Sequence, residues 1–345
     1  MPVTVANLPT IYLDRIRKFV EAGTYSDVSS FILAAVETQL ALEANHHTAV
    51  ATQPKTSPPP ATAREASPTP GLGSWPATPK TVDAPGAERF WAPLLWGQYN
   101  RIFPGVVALR VLGRLVIDRQ SAWIPLSEFR DAAAAAAVAI GVRLDQLDAQ
   151  LGSVRGQKLA TALPVGGRDD EKSRLRYQNQ FVGTLSRTGD QIGGLPAALL
   201  MANIRAGEDG GAIVGITAAG AEFAGQPWPA LEGATVRTTF DASHAVSYVR
   251  HVARSLPLEF DAMKEVLTGI ADGRATPTAV DEVVGAFLRA RNLKEELAST
   301  QRTGLIGRMN ELGLIEFQRD GSAITYHVAA RGRDLVLDKS PRHYE

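Results

Sequence analysis

The sequence predicts an α+β protein that is mainly helical and carries small β elements. Three observations favour this fold class. Apolar residues recur at helical spacing near the N-terminus, a long proline-rich stretch follows, and a pattern of helix, polar turn and strand occurs twice downstream. With 345 residues and 45% hydrophobic side chains, the chain is long enough for several globular domains. We expect a small head (1–45), a disordered linker (46–88) and two further folded domains (89–235 and 240–345).

The composition narrows the class of protein. Acidic and basic residues are equal in number, so the net charge is zero and any binding of nucleic acid must depend on local patches. The chain has no cysteine, which excludes disulfides, thiolate zinc sites and cysteine nucleophiles. No apolar run reaches about 18 residues, and no charged-then-apolar leader is present. We therefore expect a cytoplasmic protein that does not bind a membrane.

The first 45 residues predict one strand followed by two amphipathic helices. The strand spans residues 3–6, and the first helix begins at Pro9, a residue that the first turn of a helix tolerates. Gly23 suits the left-handed conformation that ends a helix, and Ser26 can cap the next one. The strand has no partner within this segment, and so short a segment buries little apolar surface. Two copies are therefore expected to pair.

This order of strand, helix and helix resembles the ribbon-helix-helix family of dimeric DNA-binding proteins, which includes plasmid-addiction antitoxins. The resemblance is carried by Val3-Thr4-Val5, by Leu8-Pro9, by residues 20–26 and by residues 31–36. It implies that paired strands lie in the DNA major groove. In one orientation of the strand Thr4 faces the bases, and in the other Asn7 faces them together with two valines. Phosphates would contact the second helix near Ser26 and Ser29. Neither register supplies an Arg or Lys, so a head that only dimerises is the alternative.

The segment from about 46 to 88 is dominated by Pro, Ala, Thr and Ser, and it includes Pro58-Pro59-Pro60. Such a composition cannot form a packed core, so it predicts a disordered tether between the head and the rest of the chain. A proline-motif ligand for a partner protein is the alternative.

Helices are expected at 102–117, 126–140 and 144–151, where apolar residues recur at helical spacing. The window from 155 to 187 that follows is the most basic of the chain, and it also contains amide side chains and a tyrosine. Arginine and lysine neutralise phosphates while neutral donors fix orientation. We therefore expect Arg174, Arg176 and Arg187 to contact DNA phosphates, with a solvated loop as the alternative.

A helix, a polar turn, a strand and a closing helix occur twice, near 195–223 and near 300–335. The two passages align on Arg187-Thr188-Gly189 with Arg302-Thr303-Gly304, on Asp209-Gly210 with Asp320-Gly321, and on Gly220 with Gly332. The sequence therefore predicts an internal repeat.

The second copy resembles winged helix-turn-helix regulators, with residues 281–289 as an early helix and 300–312 as the recognition helix. The resemblance implies that Gln301, Arg302 and Arg308 face the major groove, since a recognition helix presents its N-terminal residues to base edges. Arg319 would lie on the wing beside phosphate. Two winged-helix-like units would then make up the body. Many winged domains bind only protein, and this remains the alternative for the body.

The sequence carries none of the usual traces of an enzyme: no phosphate-binding glycine loop, no dinucleotide fingerprint, no paired-histidine zinc helix and no nucleophile elbow. His244 and His251 are seven positions apart on an expected helix, and we interpret them as structural. We therefore expect no enzymatic activity, no cofactor and no metal. The expected function is a homodimeric transcriptional regulator that binds double-stranded DNA. The alternative is an antitoxin-like or adaptor protein that dimerises by its head and binds a protein partner through its body.

Overall fold

The computed structural model describes residues 72–85 and 94–337, except 155, 168–169, 187–188, 190 and 322, and also Val28. This part of the chain is mainly helical with small antiparallel sheets, which confirms the predicted fold class. The described residues from 72 onward belong to one compact unit. None of its described helices is long and apolar enough to cross a membrane. The predicted ribbon-helix-helix head, with Thr4, Asn7, Ser26 and Ser29, lies outside the described residues.

Residues 72–85, at the end of the segment predicted as a disordered linker, pack against the folded body. Leu72 is buried, and the indole N–H of Trp75 donates to the backbone oxygen of Arg110 at 3.0 Å. The backbone N–H of Val82 donates to the oxygen of Ile216 at 2.9 Å. The structure therefore differs from the prediction here. This end of the segment carries large apolar side chains, which are scarce in the preceding residues and gain free energy by burial.

The body begins with helix α1 (Phe103–Arg119), followed by the short strand β1 (Ile124–Pro125) and helix α2 (Leu126–Leu151). The sequence predicts two helices in place of α2, but α2 is continuous because Gly141 remains helical. A Cβ atom at position 141 would lie 2.1 Å from the backbone oxygen of Pro164, so this glycine allows the following loop to approach the helix. Buried alanines on α2 allow it to pack closely against α1.

The basic window forms helix α3 (Asp170–Tyr177), a π-helical turn (Gln178–Val182) and a hairpin of β2 (Thr184–Leu185) with β3 (Gln191–Ile192). Acidic residues lie in the first turn of α3 and arginines in its last turn. This arrangement is favourable with the helix dipole.

A short helix α4 (Leu195–Ala198) leads into strands β4 (Ala202–Ala206) and β5 (Ala212–Ile216), and helix α5 (Ala218–Gly225) follows. These strands form an antiparallel sheet with β1 in the order β1-β5-β4, in which Val214 lies opposite both Ile124 and Ile204.

The second half consists of α6 (Ala242–Ser255), α7 (Pro257–Ala271), α8 (Pro277–Arg289) and α9 (Ala298–Glu311). The hairpin of β6 (Ile315–Asp320) and β7 (Ala323–Val328) follows, and helical residues then continue to Leu337. The backbone N–H of Tyr326 in β7 donates to the oxygen of Ala275 at 2.8 Å. Ala275, two residues before α8, thus bonds to the second strand of the hairpin, as β1 bonds to β5 just before α2.

The two halves share the same hydrogen bonds where a helix turns into a hairpin. Leu200 and Gly313 both have left-handed backbones, with φ of 58° and 66°. The next residues donate in the same way, Met201 to the oxygen of Pro196 and Leu314 to that of Met309, both at 2.8 Å. These bonds are typical of the Schellman motif that ends helices.

The closing helices also match. A Cβ atom at Gly220 would lie 1.9 Å from the backbone oxygen of Met201, and one at Gly332 would lie 2.2 Å from that of Leu314. The proposed alignment of Gly189 with Gly304 is wrong, because Gly304 lies inside α9 whereas Gly189 lies between β2 and β3. The two halves therefore share the same structure from the end of the helix, through the hairpin, to the closing glycine.

The buried apolar side chains of both halves form one hydrophobic cluster. Trp228 lies within it, where its ring stacks on His244 of α6 with centroids 3.8 Å apart and contacts Phe103 of α1 at 6.2 Å. The two halves are therefore packed together through a common core.

Candidate functional site

Helix α9, the predicted recognition helix, is covered along one face by residues 94–101. A Cβ atom at Gly97 would lie 2.0 Å from the backbone oxygen of Thr300, and one at Gly304 would lie 2.5 Å from that of Gly97. One turn further along, a Cβ atom at Gly307 would lie 2.5 Å from the oxygen of Asn100. The two glycines of α9 thus form a shallow groove in which the backbone of this segment lies.

Arg308 lies beneath that segment and not on the surface, since its side chain is only 1% exposed. Its Nε and Nη2 atoms donate to Oε1 of Glu259 in α7 at 3.0 and 2.6 Å, and its Nη1 donates to the backbone oxygen of Tyr99. The other oxygen of Glu259 accepts from the backbone N–H of Leu95 at 3.3 Å. Burial raises the pKa of Tyr99 to about 12, which the nearby charge of Arg308 partly opposes. The pair therefore joins α9, α7 and the covering segment.

Gln301 and Arg302 also lie within the body. Gln301 is buried at 7% exposure. Arg302 donates from Nε to Oδ1 of Asp281 at 2.7 Å and from Nη1 to the hydroxyl of Tyr326 at 3.2 Å. Burial opposes the charge of Arg302, but the hydrogen bond and charge of Asp281 outweigh burial and raise its pKa.

A side chain that reads a base edge must reach out of the protein surface. The structure instead places Gln301 and Arg308 in the core, and it pairs Arg302 with a carboxylate. The exposed positions on the N-terminal part of α9 are Ser299, Thr300 and Thr303. The expectation that this helix presents two arginines and a glutamine to the major groove therefore does not agree with the arrangement of α9.

The remaining predicted contacts lie on other elements. Arg319 is exposed on β6, with its guanidinium carbon 5.9 Å from the ring centroid of Phe317. Arg174 and Arg176 are exposed on α3, where Arg174 lies 3.9 Å from Asp170. Arg187 lies outside the described residues.

A polar cleft of 570 Å³ lies between the end of α2, residues 237–239, the end of α9 and the start of β6. Its lining includes three cationic side chains, Arg101, Lys158 and Arg237, of which only Lys158 belongs to the basic window 155–187 of the sequence analysis. They are far apart in the sequence and belong to no periodic pattern, so no sequence signal groups them. The loop that carries Lys158 is held by Asp148 of α2, whose carboxylate accepts the backbone N–H groups of Leu159 and Ala160 at 2.9 and 3.0 Å.

Glu311, the last residue of α9, lines the same cleft and caps the start of α1. Its carboxylate accepts the backbone N–H groups of Ile102 and Phe103, which have no side-chain cap of their own. Burial raises the pKa of Glu311, although the charge of Arg101 and these backbone hydrogen bonds oppose the rise. A residue of the second half thus fixes the first helix of the body.

Both histidines of α6 bond to backbone carbonyls. The Nε2 atom of His244 lies 2.8 Å from the oxygen of Pro227, and that of His251 lies 2.6 Å from the oxygen of Leu199. Burial lowers the pKa of His251. Among the described residues, no group of three histidine, aspartate or glutamate side chains could hold a metal ion.

Compared with known proteins, the chain matches no protein-family model, no curated protein and no solved structure.

Proposed function

We propose that this chain is a dimeric, DNA-binding regulator of transcription in which the head contacts DNA and the body does not read bases. The contact with DNA rests on the resemblance of residues 1–45 to the ribbon-helix-helix family. The role of the body rests on one observation. Arg308 forms a buried ion pair with Glu259 and does not reach the surface.

The repeated layout supports the regulatory part of this proposal. Two halves that each end in a hairpin and a closing helix share one core, and in this proposal that body serves as a scaffold for the head. A head with few basic residues gains specificity from pairing in a dimer, because two half-sites are then bound together. The exposed arginines of α3 would add contact with phosphates that carries no sequence information.

The test is selection of DNA duplexes by the full-length protein, followed by fluorescence anisotropy with the selected duplex. Replacing Thr4 and Asn7 together with alanine should weaken specific binding, by about 1–3 kcal/mol for each side chain that reads a base. The matched control replaces Ser299, Thr300 and Thr303 with alanine, which alters the exposed face of α9 and should leave sequence preference unchanged. Loss of preference in the control protein would show that the body reads bases, and the proposal would be wrong.

The second candidate function is an antitoxin-like or adaptor protein whose body binds a protein partner. It does not require a base-reading arginine on α9, where Arg308 is buried. The two functions differ in their dependence on salt. Binding to DNA through phosphates weakens steeply as salt concentration rises, whereas binding to protein through apolar contacts does not. A full-length protein that selects no duplex at low salt would favour the adaptor.

A further inference from the structure

The cleft beside Glu311 has the size and position of a ligand site. Its volume of 570 Å³ lies within the roughly 300–1,000 Å³ of sites that bind small molecules. Its walls come from the loop after α2, the segment that joins the two halves, and the end of α9 with β6. Ligand sites commonly lie at such junctions because residues from several elements can converge there.

The cleft carries an excess of positive charge. Arg101, Lys158 and Arg237 line it together with two carboxylates, those of Glu311 and Glu316. Three cations against two carboxylates leave the lining a formal excess of one positive charge.

Two of the three cations have no partner among the described residues. Arg101 donates from Nη2 to the backbone oxygen of Gly156 at 3.2 Å, which holds its guanidinium at the cleft wall. Among the residues that the structure describes, the side chains of Lys158 and Arg237 have neither a hydrogen-bond acceptor nor an ion-pair partner. Like charges that share a cleft repel each other, and a bound anion would remove this repulsion.

The other lining residues narrow the class of anion. Gln157, Thr238 and Asn310 offer neutral donors and acceptors, and Leu151 and Phe317 offer apolar surface. Arginine matches the oxygens of a phosphate in a fixed geometry, whereas lysine contacts them as a point charge. The combination suits a molecule with a phosphorylated end and a larger, partly apolar body.

We propose that this cleft binds a phosphorylated small molecule of nucleotide size, with Arg101, Lys158 and Arg237 contacting its phosphates. This site is independent of any contact with DNA. Because the ligand would touch both halves of the body, it would stabilise their packing. Anything that binds the folded chain but not the unfolded chain shifts unfolding in this way.

The experiment is isothermal titration calorimetry of the full-length protein with adenosine triphosphate, pyrophosphate and adenosine. We expect the first two to bind with Kd below about 1 mM, the weak end of specific affinity, and adenosine to bind at least about tenfold more weakly. The variant that combines Lys158→Gln with Arg237→Gln should weaken binding of the triphosphate by about tenfold or more for each cation removed. Arg114→Gln, an exposed arginine of α1 that is not among the residues lining the cleft, is the matched control and should bind as the unaltered protein does.

Three results would overturn the proposal: no heat from either phosphate probe at about 1 mM, adenosine binding as tightly as the triphosphate, or unaltered affinity in the double variant. Circular dichroism of each variant checks that it is folded. Both substituted side chains are exposed, so the fold should persist. Failure to select any DNA duplex would leave this result untouched, so the two proposals fail separately.

Discussion

Replacing Arg308 with methionine should lower the free energy of unfolding by about 3–5 kcal/mol, the cost of removing one partner of a buried ion pair. Both side chains are 1% exposed, so water cannot replace the missing partner. Among the described residues, the carboxylate of Glu259 would keep only the hydrogen bond from Leu95, which at 3.3 Å is long. The backbone oxygen of Tyr99 would lose its donor as well. Since small proteins are stable by only about 5–15 kcal/mol, the variant should unfold at a much lower urea concentration.

A double-mutant cycle tests this reasoning. Replacing Arg308 and Glu259 together with methionine removes both charges, so the loss of stability should be well below the sum of the two single losses. The matched control is Arg114→Met, which breaks an exposed ion pair with Asp118 and should cost less than about 1 kcal/mol. Urea unfolding followed by circular dichroism measures all of these values. A loss below about 1 kcal/mol for Arg308→Met, or additive losses in the double variant, would refute the assignment of this pair to the core.

Three further predictions concern other parts of the body. Gly332→Ala should destabilise the fold by at least about 1–3 kcal/mol in urea unfolding, because its Cβ atom would lie 2.2 Å from a backbone oxygen. The control Gly73→Ala, with open space around it, should leave stability unchanged. Burial lowers the pKa of His251 from its ordinary 6.5, so the unfolded chain binds more protons than the folded chain. The free energy of unfolding should therefore fall as pH decreases below about 6.5. In urea unfolding, His251→Gln should remove this part of the pH dependence. Replacing Arg174 and Arg176 with alanine should weaken binding to all duplexes alike and flatten its salt dependence in anisotropy, and an unchanged salt slope would contradict their contact with phosphate.

The buried pair also changes how DNA-binding data should be interpreted. Weakened DNA binding by an Arg308 variant would be expected from loss of the fold alone. The exposed residues of α9 are therefore the informative positions for testing contact with bases, because they can be replaced without altering the core.

Local patterns in the sequence determined the fold class and several elements. Helical spacing of apolar residues predicted α1 within two residues of its observed ends. Asp320-Gly321 predicted the β6–β7 turn, and Gly321 has the positive φ of 58° that makes glycine suitable there. The structural repeat was also visible, because Gly220 and Gly332 occupy matching positions that exclude a side chain. These features depend on residues close together in the chain.

Only the tertiary structure decided which polar side chains face solvent. Helical spacing places Arg308 on a face of α9, but it cannot reveal that Glu259 and residues 94–101 cover that face. The sequence likewise could not group Arg101, Lys158 and Arg237, since three different segments bring them to one cleft. The physical reason is the same in both cases. The position of a charge depends on partners distant in sequence, and the free energy of burying it is set by those partners and not by its neighbours along the chain.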